Sequence, residues 1–151
     1  MTMHLNVQIQ QEDFDVADEI EALTTDEAGA VATFTGLVRG GDGITGLVIE
    51  HYPGMTEREI RHIAEQAQAR WTLITGITII HRIGRLSVGE RIVLVAVASA
   101  HRQSAFAACE FLMDYLKTRA PFWKQEARGE ALSWVEHRAS DDAAAERWRK
   151  P

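Results

Sequence analysis

Arg91-Ile92-Val93-Leu94-Val95-Ala96-Val97-Ala98 is the stretch that decides the fold. It is a near-continuous apolar run with no polar alternation, so it reads as a strand buried on both faces, central in its sheet. Ser99-Ala100-His101-Arg102 follows directly, where the chain leaves the strand and enters a helix that runs to about Arg119. Phe106, Cys109, Met113 and Leu116 make the apolar stripe expected of that helix. Pro121 stops it, because the residue before a proline is biased away from helical angles.

Working outward, Ile77 to Ile83 reads as a strand and Leu86 to Glu90 as a turn. Further upstream, Ile60, Ile63, Ala64, Ala67 and Trp71 have the spacing of an amphipathic helix. Thr56 and Glu59 have the spacing of a capping box at its start. Ala30 to Val38 and Gly46 to Tyr52 read as strands. The Gly40-Gly41-Asp42-Gly43 segment between them is either a mobile loop beside a site or a plain hairpin connection. Leu5, Val7 and Ile9 alternate as a half-buried strand does, and residues 13–23 form a short helix with Phe14, Ala17, Ile20 and Leu23 on one side. After Pro121, residues 132–138 read as a last strand, and Ser140 can cap a short helix ending near Trp148. Helices are inserted among strands that often pair as hairpins, which makes the class α+β. One domain, residues 1–151, accommodates all of it.

The composition is that of a soluble globular protein, 46% hydrophobic and 25% charged. Net charge is −6 with a pI near 5.5, which argues against a nucleic-acid binder and requires any bound anion to be held by local cations. No apolar run approaches the ~18 residues of a membrane span, and residues 1–10 lack the features of a signal peptide. A cytoplasmic location follows as the expectation. The single cysteine, Cys109, has no partner for a disulfide and lies in an apolar helical stretch, so it reads as a buried core residue. No His, Cys and Asp set has metal-ligand spacing, and neither a metal nor a cofactor is expected.

Three segments can carry chemistry. His101 and Arg102 stand at a helix start, where free backbone N–H groups and the helix dipole favour anions; an ordinary solvated helix start reads equally from the same residues. Arg39 ends a strand beside the glycine loop and can hold a phosphate bidentately, or be a surface arginine. Lys117 and Arg119 fall in the last turn of the second long helix, where cations complement the dipole in any case. Ala120-Pro121-Phe122-Trp123-Lys124-Gln125-Glu126 then combines a rigid turn, two aromatics, a lysine and a carboxylate. That mixture suits a flat heterocycle carrying phosphate, although core packing explains Phe122 and Trp123 as well. His51 and His81 sit among apolar neighbours and read as structural histidines.

With these residues in view the chain resembles the catalytic subunits of molybdopterin synthase. Phe34-Thr35-Gly36-Leu37-Val38-Arg39, Glu50-His51-Tyr52-Pro53-Gly54-Met55, His81-Arg82-Ile83-Gly84 and Ser99-Ala100-His101-Arg102 are similar to that family's signatures. The longest match is Met113-Asp114-Tyr115-Leu116-Lys117-Thr118-Arg119-Ala120-Pro121-Phe122-Trp123-Lys124, and the matches keep family order from about residue 28 to 138. The resemblance implies an α/β-hammerhead-like core with an additional small antiparallel β subdomain. It implies transfer of sulfur from the C-terminal thiocarboxylate of a small ubiquitin-like carrier subunit to cyclic pyranopterin monophosphate. It also implies a homodimer of this chain within a heterotetramer.

By the same resemblance Lys117 and Lys124 are the catalytic lysines. Leu37, Val38, Arg39, His101, Arg102, Gln125 and Glu126, with the two lysines, are the substrate-binding positions, His101 and Arg102 belonging to the neighbouring protomer's share of the pocket. Leu37 departs from relatives that carry lysine there, and the loop after Arg39 is short. A non-catalytic module that binds a ubiquitin-like tail is the alternative function; a phosphate-ester hydrolase without a carrier is a further one. The residues themselves agree with the family on one point: with the only thiol buried, sulfur has to arrive on another molecule.

Overall fold

The strand over residues 91–99 holds the centre of a four-stranded sheet, as its apolar sequence requires. The computed structural model describes residues 4–135 and 138–149. In chain order the elements are β1 (His4–Gln10), α1 (Val16–Leu23), β2 (Ala30–Leu37), β3 (Gly46–His51), α2 (Met55–Arg70) and β4 (Ile74–Arg82). They continue with β5 (Gly84–Ser87), β6 (Arg91–Ser99), α3 (Arg102–Thr118), β7 (Phe122–Arg128), β8 (Ala131–Trp134) and α4 (Ala139–Glu146). The first sheet has the order β1-β4-β6-β2. Its β1–β4 pair is parallel, and the β4–β6 and β6–β2 pairs are antiparallel.

Successive side chains of a strand point to opposite faces, and β6 buries both. Val93, Val95 and Val97 join Ile77, Ile79 and the apolar sides of α2 and α3 in the main core. Leu94, Ala96 and Ala98 face the other way, against Phe14, Leu23 and Ile80. The second sheet, ordered β5-β3-β7-β8, is antiparallel throughout. Mixed and antiparallel sheets with helices packed on them make this an α+β fold.

Several local expectations change. β2 and β3 do not pair; they belong to different sheets, so the glycine segment carries the chain between sheets and is no hairpin. Gly41, Asp42 and Gly43 take φ values of 107°, 53° and 77°, and the Asp42 carbonyl accepts a hydrogen bond from Arg128 Nε at 2.9 Å. The α2 cap is set two residues earlier than its sequence suggests: Gly54 is the N-cap and its N–H donates to Glu57 Oε2 at 3.2 Å. Leu86 lies within β5, leaving the turn at Val88 and Gly89.

On α3, Phe106 is 67% exposed. The buried stripe is Ala105, Ala108, Cys109, Leu112 and Leu116, joined by Phe111 and Tyr115; the small alanines face the sheet and turn Phe106 outward. The last strand ends at Trp134, while positions 136 and 137 of the expected 132–138 span lie outside the described residues. Ser140 falls inside α4, whose N-cap is Arg138. The 3-10 turn Arg147–Arg149 then brings Trp148 edge-on to Trp71 and Phe111, with centroids 5.7 and 5.6 Å away.

Candidate active site

α3 returns along the sheet antiparallel to β6, with Cys109 Sγ donating to the Val95 carbonyl at 3.7 Å. Its C-terminal turn, carrying Lys117, therefore comes back to the end of the sheet where β6 starts and β4 finishes. The chain then turns at Pro121 into β7. Thr56, fully buried, holds this turn: its hydroxyl donates to the Pro121 carbonyl at 3.0 Å and accepts from Tyr52 N at 2.9 Å.

Strand alternation sorts the β7 side chains. Phe122, Lys124 and Glu126 share the face of their cross-strand partners His51, Ile49 and Leu47. Trp123 and Gln125 take the other face, Gln125 between Val48 and Trp134. His81, from β4 of the first sheet, stacks on Phe122 with ring centroids 3.8 Å apart and planes 17° from parallel. The two lysines thus lie where the sheets meet, beside a stacked aromatic pair.

The electrostatics follow from this enclosure. Burial pushes the Lys124 ammonium down to about 8; the nearby Lys117 charge acts in the same direction and Asp141 opposes it. Burial, then Lys124, push the His81 imidazole down to about 3, with Lys117 and His51 adding to the effect. His81 Nδ1 lies 2.8 Å from the Arg82 carbonyl. A carbonyl can only accept, so Nδ1 carries a proton; burial, which pushes the imidazole down, keeps the ring neutral. His51 Nε2 stands 3.6 Å from Glu57 Oε1, a buried oxygen with no hydrogen bond. Cys109 is a bystander: burial pushes its thiol up to about 11, which makes it a poor nucleophile.

The other candidate residues divide by position. Arg39 follows β2, whose Leu37 pairs with Arg91, so it belongs to the same end of the sheet as Lys117. Leu37 is exposed. Val38 is buried, its N–H donating to the Glu90 carbonyl and its carbonyl accepting from Gly89 N, both at 2.9 Å. Glu126 shares the face of Lys124 and is 3.7 Å from Arg128. His101 and Arg102 are exposed at the opposite end of α3, and fifteen residues of helix separate Arg102 from Lys117 by roughly 22 Å. Within one chain they do not meet the lysines. No hydrogen bond or ion pair among the described residues engages the side chains of Arg39, Arg102 or Lys117, which leaves them available to an anion.

One signal was present in the sequence and carries more weight than its local motifs. The chain has three lysines against thirteen arginines, and two of the three converge here. Lysine, unlike arginine, shifts its pKa readily when buried, so a lysine pair in an arginine-rich chain is a signal that could have been read from the sequence.

An α+β protein with two lysines close enough to influence one another, Lys124 pushed down to about 8 chiefly by burial, has groups suited to an acid–base or acyl-handling enzyme. The MoaE protein family matches residues 9–119, and the chain belongs to that family, the molybdopterin synthase catalytic subunits. The molybdopterin synthase catalytic subunit of Vibrio cholerae is 56% identical over 150 residues, covering 97% of this chain and 99% of the relative. Among solved structures, the molybdopterin biosynthesis MoaE protein of Burkholderia ambifaria superposes with a TM-score of 0.84 at 46% identity, over 97% of this chain and 99% of that one. A Helicobacter pylori structure described as a complex of subunits 1 and 2 of molybdopterin-converting factor shares the fold, with a TM-score of 0.74 at 20% identity over 89% and 91% of the two chains.

Proposed function

We propose that this chain, acting as a single domain over 1–151 in the cytoplasm, transfers sulfur from the C-terminal thiocarboxylate of a small ubiquitin-like carrier subunit to cyclic pyranopterin monophosphate. The observation that carries the reading is the proximity of Lys117 to the largely buried Lys124, in a chain with no thiol fit to carry sulfur. The thiocarboxylate sulfur bonds to an electrophilic carbon of the pterin side chain as a C–O bond of that carbon breaks. The cyclic phosphate opens, the departing oxygen takes a proton, and a carrier–substrate thioester results. Water then cleaves the acyl–sulfur bond, releasing the carrier carboxylate and leaving sulfur on the pterin; a second round completes the dithiolene. Lys124, free as an amine over an accessible pH range, takes and returns protons. Lys117 stays close to the carrier's terminal carbonyl and offsets its developing negative charge.

Leu37, Val38, Arg39, Gln125 and Glu126 make up the remaining substrate-binding set, with unequal means. Arg39 offers a guanidinium to the phosphate. Val38 contributes by holding Arg39 in place, since its own polar groups are engaged. Gln125, turned away from Lys124, reaches a substrate only from the outer face of its sheet.

His101 and Arg102 complete the phosphate site from a second copy, because α3 separates them from Lys117 of their own chain. A homodimer within a heterotetramer satisfies that geometry. Trp123, Leu132 and Trp134 are exposed on the outer face of the second sheet and give a second copy apolar surface to cover. Mixing two inactive variants, Arg102→Ala and Lys117→Ala, tests the shared site. Random exchange in a two-fold dimer rebuilds one intact site per mixed dimer, so about a quarter of wild-type activity returns. No recovery after subunit exchange has been verified would put both residues in one chain's site and overturn the assignment.

A further inference from the structure

We propose that His81 is a positioning residue for Lys124: stacked on Phe122, its imidazole forms the water-excluding wall against which the Lys124 amine is held. The geometry is specific. Phe122 and Lys124 are two residues apart on one face of β7, and the His81 ring lies nearly parallel on Phe122. His81 is 5% exposed, and its Nδ1–H is spent on the Arg82 carbonyl. That bond fixes the ring's orientation across the junction of the two sheets. A neutral, immobile imidazole adds no charge beside the lysines, whereas a lysine or arginine in its place would add a third cation.

The other charged groups do not account for the state of Lys124. Lys117 reaches it from α3 and Asp141 from α4, acting in opposite directions, and burial outweighs both. His51, across from Phe122 on β3, is tied to Glu57. Burial at this point depends on what roofs β7, and the roof beside Phe122 is His81.

This inference rests on Lys124 belonging to the site, but its test reads Lys124 itself and does not depend on sulfur transfer. The three lysines of the chain are methylated with 13C and followed by NMR through a pH titration, Lys124 being assigned with Lys124→Arg. In the wild type the Lys124 signal is expected to titrate near 8. His81→Phe keeps a ring on Phe122 and should leave that midpoint in place. His81→Ala and His81→Gln open the wall and should move it upward by about one pH unit or more, which lowers the free-amine fraction at neutral pH about tenfold. The rising limb of the transfer-rate pH profile should move with it, while KM for the pterin stays near wild type. A merely structural histidine would lower stability in all three variants and leave the midpoint unchanged. That result in any folded Ala or Gln variant, or an equal upward move in His81→Phe, overturns the proposal.

Discussion

Lys124→Met should make the protein more stable at neutral pH while removing its activity. The folded protein holds the Lys124 ammonium near 8, against an ordinary 10.5, chiefly through burial. At about 1.36 kcal/mol per pH unit, that difference corresponds to roughly 3 kcal/mol of cost for keeping the charged form in place. Lys124 is only half-buried, and solvent screening reduces the net figure to about 1–2 kcal/mol. The sign follows from linkage. Below pH 8 the lysine is protonated in both folded and unfolded chains, and the cost is present in full. Between about 8 and 10.5 the unfolded chain binds more protons than the folded one, so the wild type gains stability as pH rises through this window. Methionine, of similar length and without charge, escapes the cost at every pH. Unfolding free energies from urea titration should therefore differ by about 1–2 kcal/mol at pH 7 in favour of the variant, and the gap should shrink to roughly a quarter of that by pH 10. Taking the difference between the proteins cancels the other groups that titrate at high pH. A gap that stays constant from pH 7 to pH 10, or a variant less stable at pH 7, would refute the account of Lys124 as a buried, reluctantly charged amine.

Lys117→Ala should keep the fold, since the side chain is exposed, and keep carrier binding, yet lose at least about a hundredfold in transfer rate, the scale of a positioned acid–base or electrostatic group. Single-turnover assays with carrier thiocarboxylate check this, and near-normal turnover would sink the role. Cys109→Ala should remain active and lose about 1 kcal/mol from the smaller core side chain; an inactive variant with an intact circular dichroism spectrum would mean that sulfur does pass through this thiol. Arg39→Ala should weaken pyranopterin phosphate binding by roughly 10- to 150-fold, the loss of one charge-assisted hydrogen bond, with carrier affinity unchanged. Calorimetry of each ligand separately tests it, and wild-type substrate affinity would remove Arg39 from the phosphate site.

Much of this protein is legible from residue order alone. The apolar run of β6 dictates a central strand because no other position hides both of its faces. The 3.6-residue spacing of Ile60, Ile63, Ala64 and Ala67 dictates α2, and Pro121 dictates where α3 stops. The twelve residues from Met113 to Lys124 point to the family and so to both lysines. What residue order could not supply was which elements face one another. Nothing local separates the glycine segment of a hairpin from one that crosses between sheets, because pairing partners are chosen by the whole core. Phe106 reads as core by composition, and only the close approach of α3 through Ala105 and Ala108 turns it outward. His81 reads as a structural histidine; the packing of one sheet on the other stacks it on Phe122, two residues from Lys124. The distance along α3 likewise sets His101 and Arg102 apart from Lys117, a separation that contiguous motifs conceal. Charge states belong to this second class. A lysine's chemistry is fixed by its side chain, but its readiness to release a proton depends on the water that the tertiary structure takes away.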